Sequence, residues 1–316
     1  MGVLITGSIA YDYLMVFPGY FKEHILPDKI ETLSVSFLVD SMKRQRGGVA
    51  TNIAYNLALL GERPRIMATV GQDFGEYREW LEANGVDTRA IVAIPDDYTA
   101  SFFVSTDHQQ NQIAMFYTGA MAHAAKLSFK EHAGGDKIDL VVISPNDPRA
   151  MVQYARECQE LGLPYIYDPS QQIIRLSGEE LAAGVSGSLM TIVNEYEFEM
   201  LKNKTGWSNA KVAAETQVLI VTCGERGSEI HLGNQVTCIP AVPAQRQADP
   251  TGVGDAYRAG IIKGYLKRLP WQTTGQMGAL AATYALEEYG TQNHRYAYAE
   301  FVARYRERFG DANELM

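Results

Sequence analysis

Asp249-Pro250-Thr251-Gly252-Val253-Gly254-Asp255-Ala256-Tyr257-Arg258-Ala259-Gly260 reads as a glycine-containing loop that runs into a helix from Ala256 onward, with the carboxylate of Asp255 at the junction. A helix start leaves backbone N–H groups unpaired and presents the positive end of the macrodipole, so it favours an anion. Gly252 and Gly254 lack Cβ atoms, which lets a phosphate approach those N–H groups. Asp255 beside such a site is placed to take a proton from an attacking alcohol. The stretch points to phosphoryl transfer to a hydroxyl.

Upstream, strands and helices alternate. Residues 65–70, 140–144, 165–168, 190–193 and 218–223 read as strands, 75–84 and 150–161 as helices, and 228–232 with 236–240 as a hairpin around Gly233-Asn234. The alternation predicts an α/β fold, a mostly parallel sheet covered by helices on both faces. Helices over 257–267, 274–288 and 299–308 close the chain. Two extended pairs interrupt this order without helices between their members: 14–17 with 30–39, and 99–106 with 112–118 around His108-Gln109-Gln110-Asn111. They predict a small antiparallel accessory sheet, acting as a lid, a dimer contact or both.

Composition narrows the function classes. Hydrophobic residues make up 46% of the 316 residues and the formal charge is −9, so a globular core is expected while nucleic acid and anionic membrane are poor partners. The basic cluster Lys43-Arg44-Gln45-Arg46 reads as a solvated segment. Cys158, Cys223 and Cys238 show no metal-ligand spacing, and no zinc-hydrolase histidine pair occurs. Absence of a basic n-region, a signal-like apolar segment and a spanning apolar run makes a cytoplasmic location the expectation.

Further candidates fall at strand ends and helix starts. Asp12 follows the first strand (2–5) and Thr6-Gly7-Ser8, where its carboxylate could accept from neighbouring sugar hydroxyls; an Asx turn explains the position equally well. Gly47-Gly48 opens a helix marked by Ile53, Leu57 and Leu60, with Asn52 in its first turn, although a close-packed turn would use the same glycines. Asn194-Glu195-Tyr196-Glu197 follows one strand, and Thr222-Cys223-Gly224-Glu225-Arg226-Gly227 ends another.

Taken in order, these segments resemble the ribokinase-like (PfkB) carbohydrate and nucleoside kinases. In that family D-T-x-G-x-G-D supplies the anion hole and base, N-x-x-E organises magnesium, and T-x-G-x-x-G lines the nucleotide site. Thr6-Gly7-Ser8-Ile9-Ala10-Tyr11-Asp12, Ser36-Phe37-Leu38-Val39-Asp40, Arg46-Gly47-Gly48-Val49-Ala50 and Asp168-Pro169-Ser170-Gln171-Gln172 look like the bacterial adenosine kinase branch. Pro250 and Val253 depart from the usual Thr and Ala; Pro250 has no N–H to give a phosphate.

The resemblance implies one ribokinase-like domain over 1–316 with a β lid from excursions at about 13–40 and 98–119. It implies transfer of the γ-phosphoryl group of ATP to the 5′-hydroxyl of adenosine or a related purine nucleoside. Asp255 would be the base, and the N–H groups from Gly252, Val253 and Gly254 to Asp255 the anion hole. Asp12, Gly48 and Asn52 would hold the ribose, with Ser8 and Ser36 near sugar and base. Phe102 and Phe116 would sandwich adenine, and Gln171 and Gln172 would read its edge; lid core and an exposed loop pair are the structural alternatives. Asn194, Thr222, Gly224 and Gly227 would border ATP, and Glu197 would act on Mg²⁺ through water. ATP and Mg²⁺ are the implied cofactors, with a monovalent cation an open third. A homodimer through the lid is expected. A sugar kinase of ribokinase or fructokinase type, another nucleoside preference and a nucleoside-binding sensor are the alternatives. A Rossmann dehydrogenase ranks last because no G-x-G-x-x-G follows the first strand.

Overall fold

The computed structural model describes residues 2–25, 31–32, 34–132 and 137–316. In chain order the strands are β1 (Val3–Thr6), β2 (Ala10–Val16), β3 (Ser41–Gly47), β4 (Arg65–Val70), β5 (Ile91–Ala93), β6 (Ala100–Thr106), β7 (Gln112–Tyr117), β8 (Leu140–Ile143), β9 (Tyr165–Tyr167), β10 (Met190–Asn194), β11 (Val218–Thr222), β12 (Ser228–Leu232) and β13 (Gln235–Ile239). The helices are α1 (Phe21–His24), α2 (Val49–Leu59), α3 (Gly75–Ala83), α4 (Phe129–His132), α5 (Pro148–Leu161), α6 (Gly178–Val185), α7 (Glu195–Thr205), α8 (Asn209–Glu215), α9 (Val253–Leu266), α10 (Trp271–Leu286) and α11 (Tyr298–Phe309).

Among the described residues, nine strands form the large sheet in the order β13-β12-β11-β10-β9-β8-β1-β4-β5. Pairing is parallel from β11 through β5, and β12 and β13 add an antiparallel hairpin at one edge. Alternate residues of the central strands point to opposite faces. Val3, Ile5, Leu140 and Val142 join the core under α2, α9 and α10, while Leu4, Val141 and Ile143 join the core under α5, α6 and α7. Each such fully buried aliphatic side chain contributes roughly 1.5–3 kcal/mol. Because the strands from β8 through β11 are parallel to β1, their carboxyl ends open on one side of the sheet, where ligands of open α/β sheets gather.

The small sheet expected from the sequence is present, in the order β3-β2-β6-β7. Its two hairpin pairings are antiparallel and its central pairing, β2 with β6, is parallel. The strand expected over 30–39 is not its partner. Ile30 and Leu33 lie outside the described residues, and 34–39 belong to no strand. Phe37 instead packs its ring against Phe17 and Phe21, with centroids 5.1 and 5.0 Å apart. The strand that pairs with β2 is β3, which contains the basic cluster expected to be solvated. Arg44 lies over the Tyr11 ring and Arg46 over Trp80, so the apolar surface this strand needs comes from its neighbours. Charged side chains along an outer strand also discourage a further strand from pairing with it.

Candidate active site

The 249–260 segment is more helical than its sequence suggests. α9 begins at Val253, so Gly254 and Asp255 lie in its first turn and Gly252 is the N-cap, with φ of 79°. A side chain at Gly252 would be strained at that φ and would press on Thr291, 3.0 Å away. Asp249 ties the turn together: its carboxylate accepts from Thr251 N at 2.9 Å and Gly290 N at 3.0 Å. The first turn of α9, which carries Asp255, therefore starts directly from this braced turn.

The second glycine turn is anchored by Ser8. Its Oγ accepts from Val49 N at 3.1 Å, and Gly48, at φ 98°, is the N-cap of α2. Any Cβ on Gly48 would strike the Ser8 carbonyl and Ala10 N, at 2.6 and 2.7 Å. This close approach fixes where α2 starts and so where Asn52 sits. Asn52 Nδ2 donates to Asp255 Oδ2 at 2.8 Å, joining residues expected separately on the ribose and at the reacting hydroxyl.

Asp255 is half-buried, and desolvation pushes its carboxyl up to about 7, against the pull of the Arg258 guanidinium and the Asn52 hydrogen bond. Beneath it, Arg258 donates to Gly254 O at 2.9 Å and to Asp168 Oδ1 at 2.6 Å. Asp168, just past β9, is fully buried: burial pushes its carboxyl up while Arg258 opposes that shift. Asp12 is pushed up to about 6, first by desolvation and then by the Asp249 charge.

Strand register arranges the acceptor candidates. Gln45, Asp12, Phe102 and Phe116 are successive cross-strand partners on β3, β2, β6 and β7. Directly opposed residues share a face, so these four side chains form one row, roughly 14 Å long at ~4.8 Å per strand. The row starts at the 249–252 turn, because Gln45 lies against Gly290, which donates to Asp249. Phe102 and Phe116 are side-by-side neighbours, a platform for stacking rather than the two facing walls of the expected sandwich. Phe116 is 47% exposed. Ser36 is exposed and outside any strand or helix. Gln171 and Gln172 occupy a single 3-10 turn after β9; Gln171 is exposed, while Gln172 is buried with its Oε1 unpartnered.

At the start of α7, Asn194 and Glu197 form a capping box: Glu197 N donates to Asn194 Oδ1 and Asn194 N to Glu197 Oε2, both at 2.8 Å. The N-x-x-E spacing thus has a structural job at the start of α7. Thr222 ends β11 opposite Ser228, and Gly224 and Gly227 shape the short turn between them. Among the described residues no three His, Cys, Asp or Glu side chains stand together as a metal cage. The Oε1 atom of Glu197 accepts no hydrogen bond from the N-cap, so the donor set fits a hydrated Mg²⁺ held mainly by nucleotide phosphates.

Four contributors carry no role from sequence. Gln292 donates to Asn52 Oδ1 at 2.7 Å and to the Tyr77 hydroxyl at 2.6 Å. Tyr77 and Gln292 offered no motif. Arg258 and Asp168 lay within quoted segments, where a lone Arg on the face of α9 that carries Gly254 was the available signal.

A glycine-opened helix with a carboxylate in its first turn, held by an amide from a second glycine-opened helix, suits a phosphotransferase. The chain belongs to the pfkB family of carbohydrate kinases, whose family model matches residues 9–296. It is 30% identical to a nucleoside kinase of Methanothermobacter thermautotrophicus over 98% of this chain and 96% of that protein. It is similar to the solved Burkholderia thailandensis nucleoside kinase in complex with inosine, at 38% identity and TM-score 0.86 over 98% of this chain and 99% of the other. In complex with ADP-inosine the same Burkholderia kinase matches at 39% identity and TM-score 0.84, covering 98% of this chain and 97% of the other. Among the described residues no helix is long and apolar enough to cross a membrane.

Proposed function

We propose that this kinase transfers the γ-phosphoryl group of ATP to the 5′-hydroxyl of adenosine or a related purine nucleoside, with Mg²⁺. The observation that carries the reading is the continuity between two parts of the cleft. Asp255 stands in the first turn of α9, bonded to Asn52, and the row Asp12–Phe102–Phe116 leads away from the 249–252 turn just before that helix. The first part suits an alcohol being phosphorylated, and the second suits a ribose joined to a flat base. The inosine bound to the Burkholderia kinase supports a purine nucleoside as the acceptor class.

In the reaction, Asp12 and Asn52 hold the ribose hydroxyls so that the 5′-oxygen faces Asp255. That oxygen bonds to the γ-phosphorus as the bond to the bridging oxygen of ADP breaks, and Asp255 takes the hydroxyl proton. A base near pKa 7 combines availability with driving force at neutral pH. N–H groups in the first turn of α9 stabilise charge on the transferred group, an effect worth ~3–4 kcal/mol per donor in the strongest cases. Mg²⁺, when bound, neutralises phosphate charge, with Glu197 as its protein contact through water. Thr222, Gly224 and Gly227 border the nucleotide, while Gln171 and Gln172 face the base.

The proposal extends to a cytoplasmic homodimer formed through the outer face of the small sheet, where Met115 is 65% and Met42 60% exposed. Light scattering across protein concentration tests that extension. An acceptor screen tests the function: ADP release and product mass are followed with adenosine, inosine, guanosine, cytidine, ribose and fructose. Purine nucleosides should have the highest kcat/KM, and faster turnover of ribose or fructose would replace this reading with a sugar kinase.

A further inference from the structure

Four side chains and one backbone carbonyl form a continuous chain of hydrogen bonds behind Asp255. Tyr77 OH lies 3.0 Å from Gly47 O. Gln292 Nε2 lies 2.6 Å from Tyr77 OH and 2.7 Å from Asn52 Oδ1. Asn52 Nδ2 then reaches Asp255 Oδ2 at 2.8 Å. Tyr77, Asn52 and Gln292 are all almost wholly buried, so water does not supply substitutes for these bonds.

The direction of the chain is set at its far end. A backbone carbonyl only accepts, and Thr51, the other group beside the Tyr77 hydroxyl, gives its own proton to Gly47 O or Gly48 O, so Tyr77 spends its single proton on this side of the chain. Its oxygen is then left to accept, which turns the NH₂ of Gln292 toward it. The second hydrogen of that NH₂ meets Asn52, which must present its oxygen, and the Asn52 NH₂ is thereby turned to Asp255. With the Asn52 amide reversed, two oxygens would face each other at a hydrogen-bond distance, which only a protonated Asp255 tolerates. We infer that Gln292 is a positioning residue for phosphoryl transfer: it relays the acceptor character of Gly47 O to the Asn52 amide, which is thereby fixed as a donor that holds Asp255 ionised and aimed. The inference rests on the reading of Asp255 as the base.

Charged groups facing Asp255 are Arg258, on its own helix, and Asp168, past β9; Glu197 on α7 acts on those two groups. Asn52, on α2, is neutral, so its contribution is a hydrogen bond whose sign depends on which way the amide points.

The test compares Gln292→Met, which removes both donors without adding charge, with Gln292→Glu, which keeps the shape and turns the Asn52 NH₂ toward position 292. Both should lower kcat, by ~10- to 100-fold for the loss of one charge-assisted hydrogen bond, while leaving the KM for ATP unchanged. The acid limb of the kcat–pH profile should move to higher pH, because loss of a donor to the carboxylate favours its protonated form. Tyr77→Phe, which removes only the far anchor, should fall between these variants and the unmodified enzyme. Unchanged kcat and acid limb in a folded Gln292→Met or Gln292→Glu protein would overturn the inference. Should neither variant fold, the unmodified protein decides: the side-chain NH₂ resonances of Asn52 should shift with pH as Asp255 titrates, and their indifference would be equally fatal. Asp255→Asn separates the two readings. If it retains turnover, the base assignment falls and this inference with it; if it is inactive while the Gln292 variants behave normally, only the relay falls.

Discussion

Arg258 and Asp168 form a buried ion pair beneath the anion loop, and the same guanidinium donates to the Gly254 carbonyl at 2.9 Å. The arginine is 8% exposed and the aspartate 0%. One cation therefore compensates a wholly desolvated carboxylate at the end of β9 and braces the first turn of α9. Arg258→Met should destabilise the protein by ~3–5 kcal/mol, the usual cost of stranding one member of such a pair. Urea unfolding measures this. Adding Asp168→Asn should recover part of the loss, since an uncharged amide costs less to bury.

Asp255→Asn should lower kcat by at least ~10²- to 10⁴-fold with nucleoside binding retained, as measured by steady-state kinetics and calorimetry. In the unmodified enzyme kcat should fall as pH drops below about 7, where Asp255 becomes protonated. Stability has the opposite sign. The folded state holds the Asp255 proton to higher pH than the unfolded chain does, so stability declines as pH rises from about 4 to about 7. Asp255→Asn removes that dependence and should be the more stable protein at pH 8, by an amount of order 1 kcal/mol.

Asp12 should be read through the KM for nucleoside. Asp12→Asn should raise it by ~10- to 100-fold, the loss of charge-assisted hydrogen bonds to the ribose, with the KM for ATP unchanged. The same KM should climb in the unmodified enzyme as pH falls through about 6, where burial and Asp249 favour the protonated carboxyl. Equal effects on both substrates would argue for a role in the fold.

Phe102 and Phe116 are adjacent in the row that begins at Gln45. Phe116→Ala should weaken nucleoside binding by ~1–3 kcal/mol, the worth of one stacked base, and Phe102→Ala should do so by a similar amount. Both losses are measurable by titration calorimetry with inosine and adenosine. A free pentose has no base to stack, and its binding should be indifferent to either change.

Much of the cleft was legible because its features are local. The glycines around Asp255, the Gly47-Gly48 turn and the period of Ile53 and Leu57 all act within a few residues of themselves. β3 was not legible. Its sequence, SMKRQRG, has no apolar alternation, since Tyr11 and Trp80 provide the surfaces on which Arg44 and Arg46 lie. The extended segment expected over 30–39 holds Phe37, which packs against other aromatics and belongs to no strand. Asn194 and Glu197 were visible as a pair, but their reciprocal cap emerged only with the helix that follows.

The sequence by itself determined the alternation of strands and helices in the large sheet, the loop built to receive an anion and the carboxylate beside it, since short-range sterics and backbone hydrogen bonding set these. Only the tertiary structure decided how that carboxylate behaves. Asn52 is 203 residues from Asp255, and Gln292 is 240 residues from Asn52, yet these contacts fix the amide facing the carboxylate. Desolvation and the direction of a hydrogen-bond chain depend on everything packed around a group, and no stretch of chain contains its own surroundings.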